Sequence, residues 1–202
     1  MPANRPIDLS SRAVEGGFAN PVFDAQAVFA AVLQAISRPG TVADCGSRAA
    51  PPAPLSPAQG AILLALADAE TGLFVEAADA ALEAWLGFQT GARLTEAAGA
   101  EIAVAGRFDR SALGRFPLGT LAYPDRSATL IVEVPSFNAG PPLRLSGPGV
   151  RGSAEIRPAG LGEGFVAARR ANRALAPCGL DLLLTCGSRV LALPRSTLVE
   201  EA

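Results

Sequence analysis

The chain has 202 residues, 50% apolar and 18% charged, and its 17 basic and 19 acidic residues leave a formal net charge of −2, a weakly acidic balance that argues against broad nucleic-acid binding. It contains no histidine, and all 17 basic residues are arginines. Those two absences exclude Ser-His-Asp and Cys-His hydrolysis, histidine-containing zinc sites, an internal aldimine to pyridoxal phosphate, and the lysine of phosphate-binding loops and protein kinases.

Residues 1–17 lack periodicity and end in Gly16-Gly17, which predicts a flexible N-terminal arm ahead of a single domain over 18–202. Asp24 is a good N-cap, and Val28, Phe29, Val32, Leu33 and Ile36 fall at helical spacing before Arg38-Pro39-Gly40 stops the run. Pro51, Pro52 and Pro54 impose an extended segment, after which Ser56-Pro57 carries the cap-plus-N1 signature of a helix to Ala67. A short strand is predicted over 73–76, and Asp79 caps a further helix with Leu82, Trp85 and Leu86 on one face. Strand signals then dominate, over 93–95, 101–108, 129–134, 142–146, 154–157, 180–185 and 189–193, interrupted by helical pieces over 110–115 and 162–174. The near-continuous apolar runs Thr129-Leu130-Ile131-Val132 and Leu182-Leu183-Leu184 suit strands covered on both faces. The expected fold is therefore α/β, a three-layer helix-sheet-helix sandwich with a mixed sheet.

Gly147-Pro148-Gly149-Val150-Arg151-Gly152 has the letters of a G-x-G-x-x-G phosphate loop, but the segment after it reads as strand and Pro148 lacks an N–H, so a tight turn is the better reading. Cys45, Cys178 and Cys186 form no C-x-x-C pair and fit a reducing compartment. Cys186 sits where a strand ends, yet no histidine or lysine is present to activate it, so a small buried cysteine is favoured. No stretch reaches the roughly 18 to 20 apolar residues of a membrane span, and the N-terminus lacks a leader-like apolar core, so a cytoplasmic location without membrane association is expected. Any anionic ligand must meet arginine or a helix N-terminus. Arg195 stands out, because Leu193-Pro194-Arg195-Ser196-Thr197 places it just beyond a strand beside two hydroxyls. No carboxylate cluster with metal-ligand spacing appears, and Asp125 and Asp181 read as turn and strand-entry residues.

Several blocks resemble the PhnH family, the H subunits of bacterial carbon-phosphorus lyase systems. They are Pro21-Val22-Phe23-Asp24-Ala25-Gln26-Ala27-Val28-Phe29 closing at Ser37-Arg38-Pro39-Gly40, then Tyr123-Pro124-Asp125-Arg126-Ser127-Ala128-Thr129-Leu130, then Leu145-Ser146-Gly147-Pro148-Gly149, and finally Leu180-Asp181-Leu182-Leu183-Leu184-Thr185-Cys186-Gly187 through Ala192-Leu193-Pro194-Arg195-Ser196-Thr197. The resemblance implies a cofactor-free fold similar to the large domain of pyridoxal-phosphate-dependent transferases, and a homodimer in isolation. It also implies membership of a core complex with G, I and J subunits that forms ribose 1-phosphonate 5-triphosphate from ATP and an alkylphosphonate, before a radical iron-sulfur subunit cleaves the carbon-phosphorus bond. The lack of lysine agrees with a lost aldimine site. Two positions depart from the family pattern: Cys178 stands where leucine is common and Ser188 where an acidic residue is common.

The expectation is thus a structural or co-catalytic subunit without a cofactor or metal, with Arg126 and Arg195 as candidate ligands for a phosphonate or nucleotide anion and Asp125 orienting Arg126. Two alternatives are a stand-alone small-molecule enzyme using Cys186 and a ligand-free scaffold.

Overall fold

The computed structural model describes residues 14–202. Most of the expected arm, residues 1–13, lies outside the described residues. Its last residues are tied down: Trp85 Nε1 donates to the Glu15 carbonyl at 2.8 Å, Gln89 Nε2 to the Val14 carbonyl at 3.1 Å, and the Ala50 amide to the Gly16 carbonyl at 2.9 Å.

Helix α1 spans Pro21–Ser37 and begins earlier than the Asp24 cap predicts. Asn20 is the N-cap, accepting from the Phe23 amide at 3.4 Å, while Asp24 accepts from the Asn20 amide at 2.9 Å. Pro21 at the first helical position has the φ that this start requires. Helix α2, Pro57–Leu66, opens with a full capping box, Ser56 and Gln59 each satisfying the other's amide. Helix α3, Ala80–Thr90, is capped by Asp79 and closed by Gly91 at φ 70°.

Seven strands form the main sheet: β1 (Val42–Asp44), β2 (Gly72–Val75), β3 (Arg93–Leu94), β4 (Ile102–Val104), β5 (Thr129–Glu133), β8 (Asp181–Cys186) and β9 (Arg189–Leu193). Their order is β1-β9-β8-β5-β4-β2-β3, and β9 alone runs against the rest. Strands β6 (Leu143–Ser146), β7 (Ala154–Ile156) and β10 (Leu198–Glu201) make a second, antiparallel sheet in the order β10-β6-β7. Two strands, β1 and β10, are absent from the sequence prediction. Each is three or four residues long, and β10 carries Glu200 and Glu201, so neither offers a periodic apolar signal.

The sheet divides the core. In register, Leu130 pairs with Leu182 and Val132 with Leu184, facing one way, while Ile131 and Leu183 between them face the other. Helices α1, α2 and α3 cover the Ile131 face. The opposite face is covered by α5 (Phe165–Arg173), the short α4 (Ala112–Arg115) and the small sheet, through Phe165, Ala168, Leu143, Leu145, Ile156 and Val199. The mixed sheet and α/β class hold, but the second outer layer combines helix with sheet. Both faces of β5 and β8 being covered explains their unbroken apolar runs.

One apolar face departs from expectation. Helix α1 buries Val28, Ala31, Val32 and Ala35, leaving Phe29 52%, Leu33 53% and Ile36 40% exposed, with Val22 and Phe23 exposed beyond them. The helix is apolar on two sides and only one meets the sheet. The Gly147 to Gly152 segment is the turn between β6 and β7, and a Cβ on Gly149 would lie 2.3 Å from the Ser37 carbonyl oxygen, so glycine is needed for its approach to α1.

Candidate functional site

Because β9 is antiparallel to β8, Arg195 beyond its end lies at the amino ends of the parallel strands, beside Asp181 at the start of β8. Open α/β sheets bind ligands at the other end. Arg195 Nε donates to both Asp181 oxygens at 3.2 Å and Nη2 to Oδ2 at 2.5 Å, with the Arg195 amide on Oδ1 at 2.8 Å. Nη1 donates to the Pro124 and Pro177 carbonyls at 2.7 and 3.4 Å, and Nη2 also to the Ser127 hydroxyl. A guanidinium has five N–H donors, and these contacts use them. Arg195 is a brace to four residues, Pro124, Ser127, Pro177 and Asp181, with no edge left for an anion.

Arg126 is exposed and its guanidinium lies 4.2 Å over the Tyr123 ring. Asp125 is exposed beside it, and no hydrogen bond or ion pair joins the two. The three candidate residues do converge on one place, the loop 118–127 and its underside, but as brace, stacked cation and solvated carboxylate.

The carboxyl ends of the parallel strands hold two carboxylates that the sequence reading passes over. Glu133, closing β5, accepts from Thr185 Oγ1 at 2.5 Å, Ser56 Oγ at 2.7 Å and the Gly187 amide at 2.9 Å. It thereby ties the α2 N-cap to the ends of β5 and β8. Glu76, just past β2, accepts from the Gly106 amide and Arg115 Nη1, both at 2.7 Å. The Arg115 hydrogen bond, then the Gly106 amide, holds the Glu76 carboxyl below its ordinary value. Arg115 also stacks over Phe74 and Phe116, at 4.8 and 5.2 Å. The available signal is a carboxylate immediately ending an apolar strand, at Val132-Glu133 and Val75-Glu76, which suits a strand-end staple. Both carboxylates tie loops to strand ends while their side chains still reach solvent.

Cys186 donates its thiol to the Pro135 carbonyl at 3.6 Å, and no arginine hydrogen-bonds to it. Cys45 is buried, and burial pushes its thiol up to about 11, an inert form. Ser188 donates to Asp44 at 3.0 Å, fastening the β9 turn to β1. Among the described residues no group of three or more Cys, Asp and Glu is placed to hold a metal ion, and no helix is long and apolar enough to cross a membrane.

A second arginine lies under the Arg195 turn. Arg169 of α5 is 1% exposed; Nη2 donates to the Pro194 carbonyl at 2.6 Å, whereas Nε and Nη1 have no partner. Burial pulls its guanidinium down to about 10, offset in part by Asp181. Away from these edges, a groove of about 860 Å³ runs between Pro142, Leu161, Phe165 and Val166, with Arg170 on one wall and Glu163 and Glu201 on others. Its charges are mixed in sign and none of the sequence-predicted residues lines it.

The sequence model for the bacterial phosphonate metabolism protein PhnH matches residues 16–200. The chain is 41% identical over 200 residues to the alpha-D-ribose 1-methylphosphonate 5-triphosphate synthase subunit PhnH of Rhizobium meliloti (strain 1021), covering 96% of this chain and 99% of that protein. It is also 39% identical over 80 residues to the putative C-P lyase subunit protein HtxG of Stutzerimonas stutzeri, covering 40% and 41% of the two chains. A match over residues 16–200 that ends in β10 takes in both sheets and both strand-end clusters, and the chain therefore belongs to the PhnH family of bacterial phosphonate metabolism proteins.

Proposed function

We propose that the chain is a subunit of an assembly that makes ribose 1-methylphosphonate 5-triphosphate in phosphonate breakdown, and that it contributes protein surface to that assembly rather than a reaction centre of its own. The observation that carries this reading is the near full-length similarity to a synthase subunit. The spent charges support it: Arg195, Glu133 and Glu76 are all engaged within the chain, while α1 leaves an uncharged apolar stripe exposed. Partners are G, I and J subunits in the cytoplasm, where three free thiols are stable. The stripe Val22, Phe29, Leu33 and Ile36 serves contact between two copies of the chain, and the layering is a relative of the pyridoxal-phosphate transferase large domain without its lysine.

A phosphonate or nucleotide ligand would find only Arg126 with free donors in the predicted trio, a single exposed cation, and Cys186 lacks an activating neighbour. The stand-alone enzyme reading therefore has no support. The test is a host deleted for this gene and grown on methylphosphonate as sole phosphorus source. Growth is expected to stop and to return with the wild-type chain, and the purified chain alone is expected to give no heat with ATP or methylphosphonate. Undiminished growth of the deletion strain would overturn the reading. Leu33→Glu is expected to convert a sedimenting dimer into a monomer.

A further inference from the structure

The loop 118–127 carries Leu121, at 81% the most exposed large apolar side chain among the described residues, together with exposed Tyr123 and Arg126. Single exposed leucines are ordinary on a mobile loop. This loop is built to stay still. An antiparallel bridge between Leu118 and Ser127 closes its neck, helped by the Ala128 amide on the Pro117 carbonyl and the Gly179 amide on the Leu118 carbonyl, both at 2.8 Å. At the tip the Thr120 and Tyr123 amides and carbonyls pair reciprocally at 3.1 Å, and the Tyr123 amide also reaches Thr120 Oγ1 at 3.1 Å. Gly119 sits at φ 75°, where a Cβ would come within 2.8 Å of the Pro124 carbonyl oxygen. Beneath, Arg195 holds the Pro124 carbonyl and the Ser127 hydroxyl.

The fixed loop thus displays a leucine, a tyrosine and an arginine. Tyrosine and arginine are enriched among side chains that dominate interface energies, and fixing them in advance removes much of the ordering cost of binding. Stacking on Tyr123 occupies the face of the Arg126 guanidinium, while its in-plane N–H edge has no acceptor among the described residues. That edge fits a carboxylate. Exposed Asp125 beside it excludes a uniformly acidic partner face and calls for a basic group opposite.

We propose that the loop 118–127 is a preformed plug that docks into another subunit of the same assembly, into an apolar pocket that receives Leu121 and is rimmed by a carboxylate for Arg126. The plug rests on the reading of this chain as an assembly subunit, and its test separates the two. The full chain is co-expressed with the G, I and J subunits, one of which is tagged, as wild type, as Leu121→Asp and as Arg126→Glu. Thermal melting of each variant serves as a folding control, with the midpoint expected to stay within about 2 °C because both side chains are exposed. Wild type should co-purify at fixed stoichiometry, and each variant should bind at least about tenfold more weakly. Wild-type stoichiometry for both folded variants overturns the plug and leaves the subunit reading intact. Loss with Arg126→Glu but not with Leu121→Asp overturns it in favour of an anion or nucleic-acid contact. Failure of the wild-type chain to co-purify overturns the subunit reading and the plug together.

Discussion

The two ends of the main sheet use charge in opposite ways. At the carboxyl ends, where α/β proteins usually bind their ligands, Glu133 and Glu76 gather amides, hydroxyls and one arginine from the loops around them. At the amino ends a single arginine, Arg195, gathers a carboxylate, two carbonyls and a hydroxyl. The first arrangement ties the loops at the customary end to the strands. The second stiffens a loop that projects outward. The difference teaches that this α/β frame places its exposed, fixed surface at the end opposite the usual site.

Removing Arg195 is the largest single perturbation expected at either end. Its side chain and that of Asp181 are 18% and 29% exposed, so Arg195→Met strands a largely dry carboxylate and frees the underside of the loop. A loss of about 2–4 kcal/mol is expected in urea unfolding. Amide exchange over 118–127 should accelerate with it. A loss below about 1 kcal/mol would put Arg195 among ordinary surface ion pairs and erase the contrast. At the other end, Glu133→Gln keeps the shape but aims an amide N–H₂ at donors. About 1 kcal/mol is expected from the same measurement, since Glu133 is exposed and water can take over part of its role.

How far the sequence reveals this arrangement depends on the range of the interaction. Local signals place the α2 and α3 caps correctly, because Ser56, Gln59 and Asp79 bond to amides within a turn. The doubly covered strands β5 and β8 are legible from their apolar runs, and the Gly147 to Gly152 turn from Pro148. Strand direction is not local. The same letters around Arg195 fit a ligand arginine if β9 is parallel and a brace if it is antiparallel, and that direction is set by pairing with β8. The partner of Arg195, Asp181, is fourteen positions away in sequence, and Ser56 and Glu133 are separated by 77. On α1 the period correctly predicts a helix, but Phe29, Leu33 and Ile36 show that spacing alone does not say which of two apolar faces meets the sheet.

A smaller effect separates the two ends by pH. Glu76 is held below its ordinary value, so its bonds to Arg115 and Gly106 are at full strength above the unfolded-state value of about 4.3 and are lost as pH falls through the lower folded value. Glu76→Gln should therefore make the acid side of the stability profile shallower below about pH 4. At neutral pH it should cost less than about 1 kcal/mol, because both partners are 41% exposed. Thermal melts between pH 3 and 7 check the sign. A steeper acid limb in the variant would contradict the staple.

The smallest change in stability is expected at Arg169, although it is the more buried of the two arginines at the amino ends. Burial without full pairing costs more than it returns. Arg169 keeps one short bond, to the Pro194 carbonyl, and a stacking contact with Phe108 at 5.7 Å, against two buried nitrogens, Nε and Nη1, with no acceptor among the described residues. Arg169→Met removes the charge with little change in volume, keeps apolar contact with Phe108, and leaves the Pro194 carbonyl with the Thr197 amide at 2.9 Å. Urea unfolding should show a change within about 1 kcal/mol, of either sign, beside the much larger loss for Arg195→Met. Equal losses for the two variants would mean that an unseen partner satisfies Nε and Nη1, and the ordering of the two arginines would then rest on burial rather than on pairing.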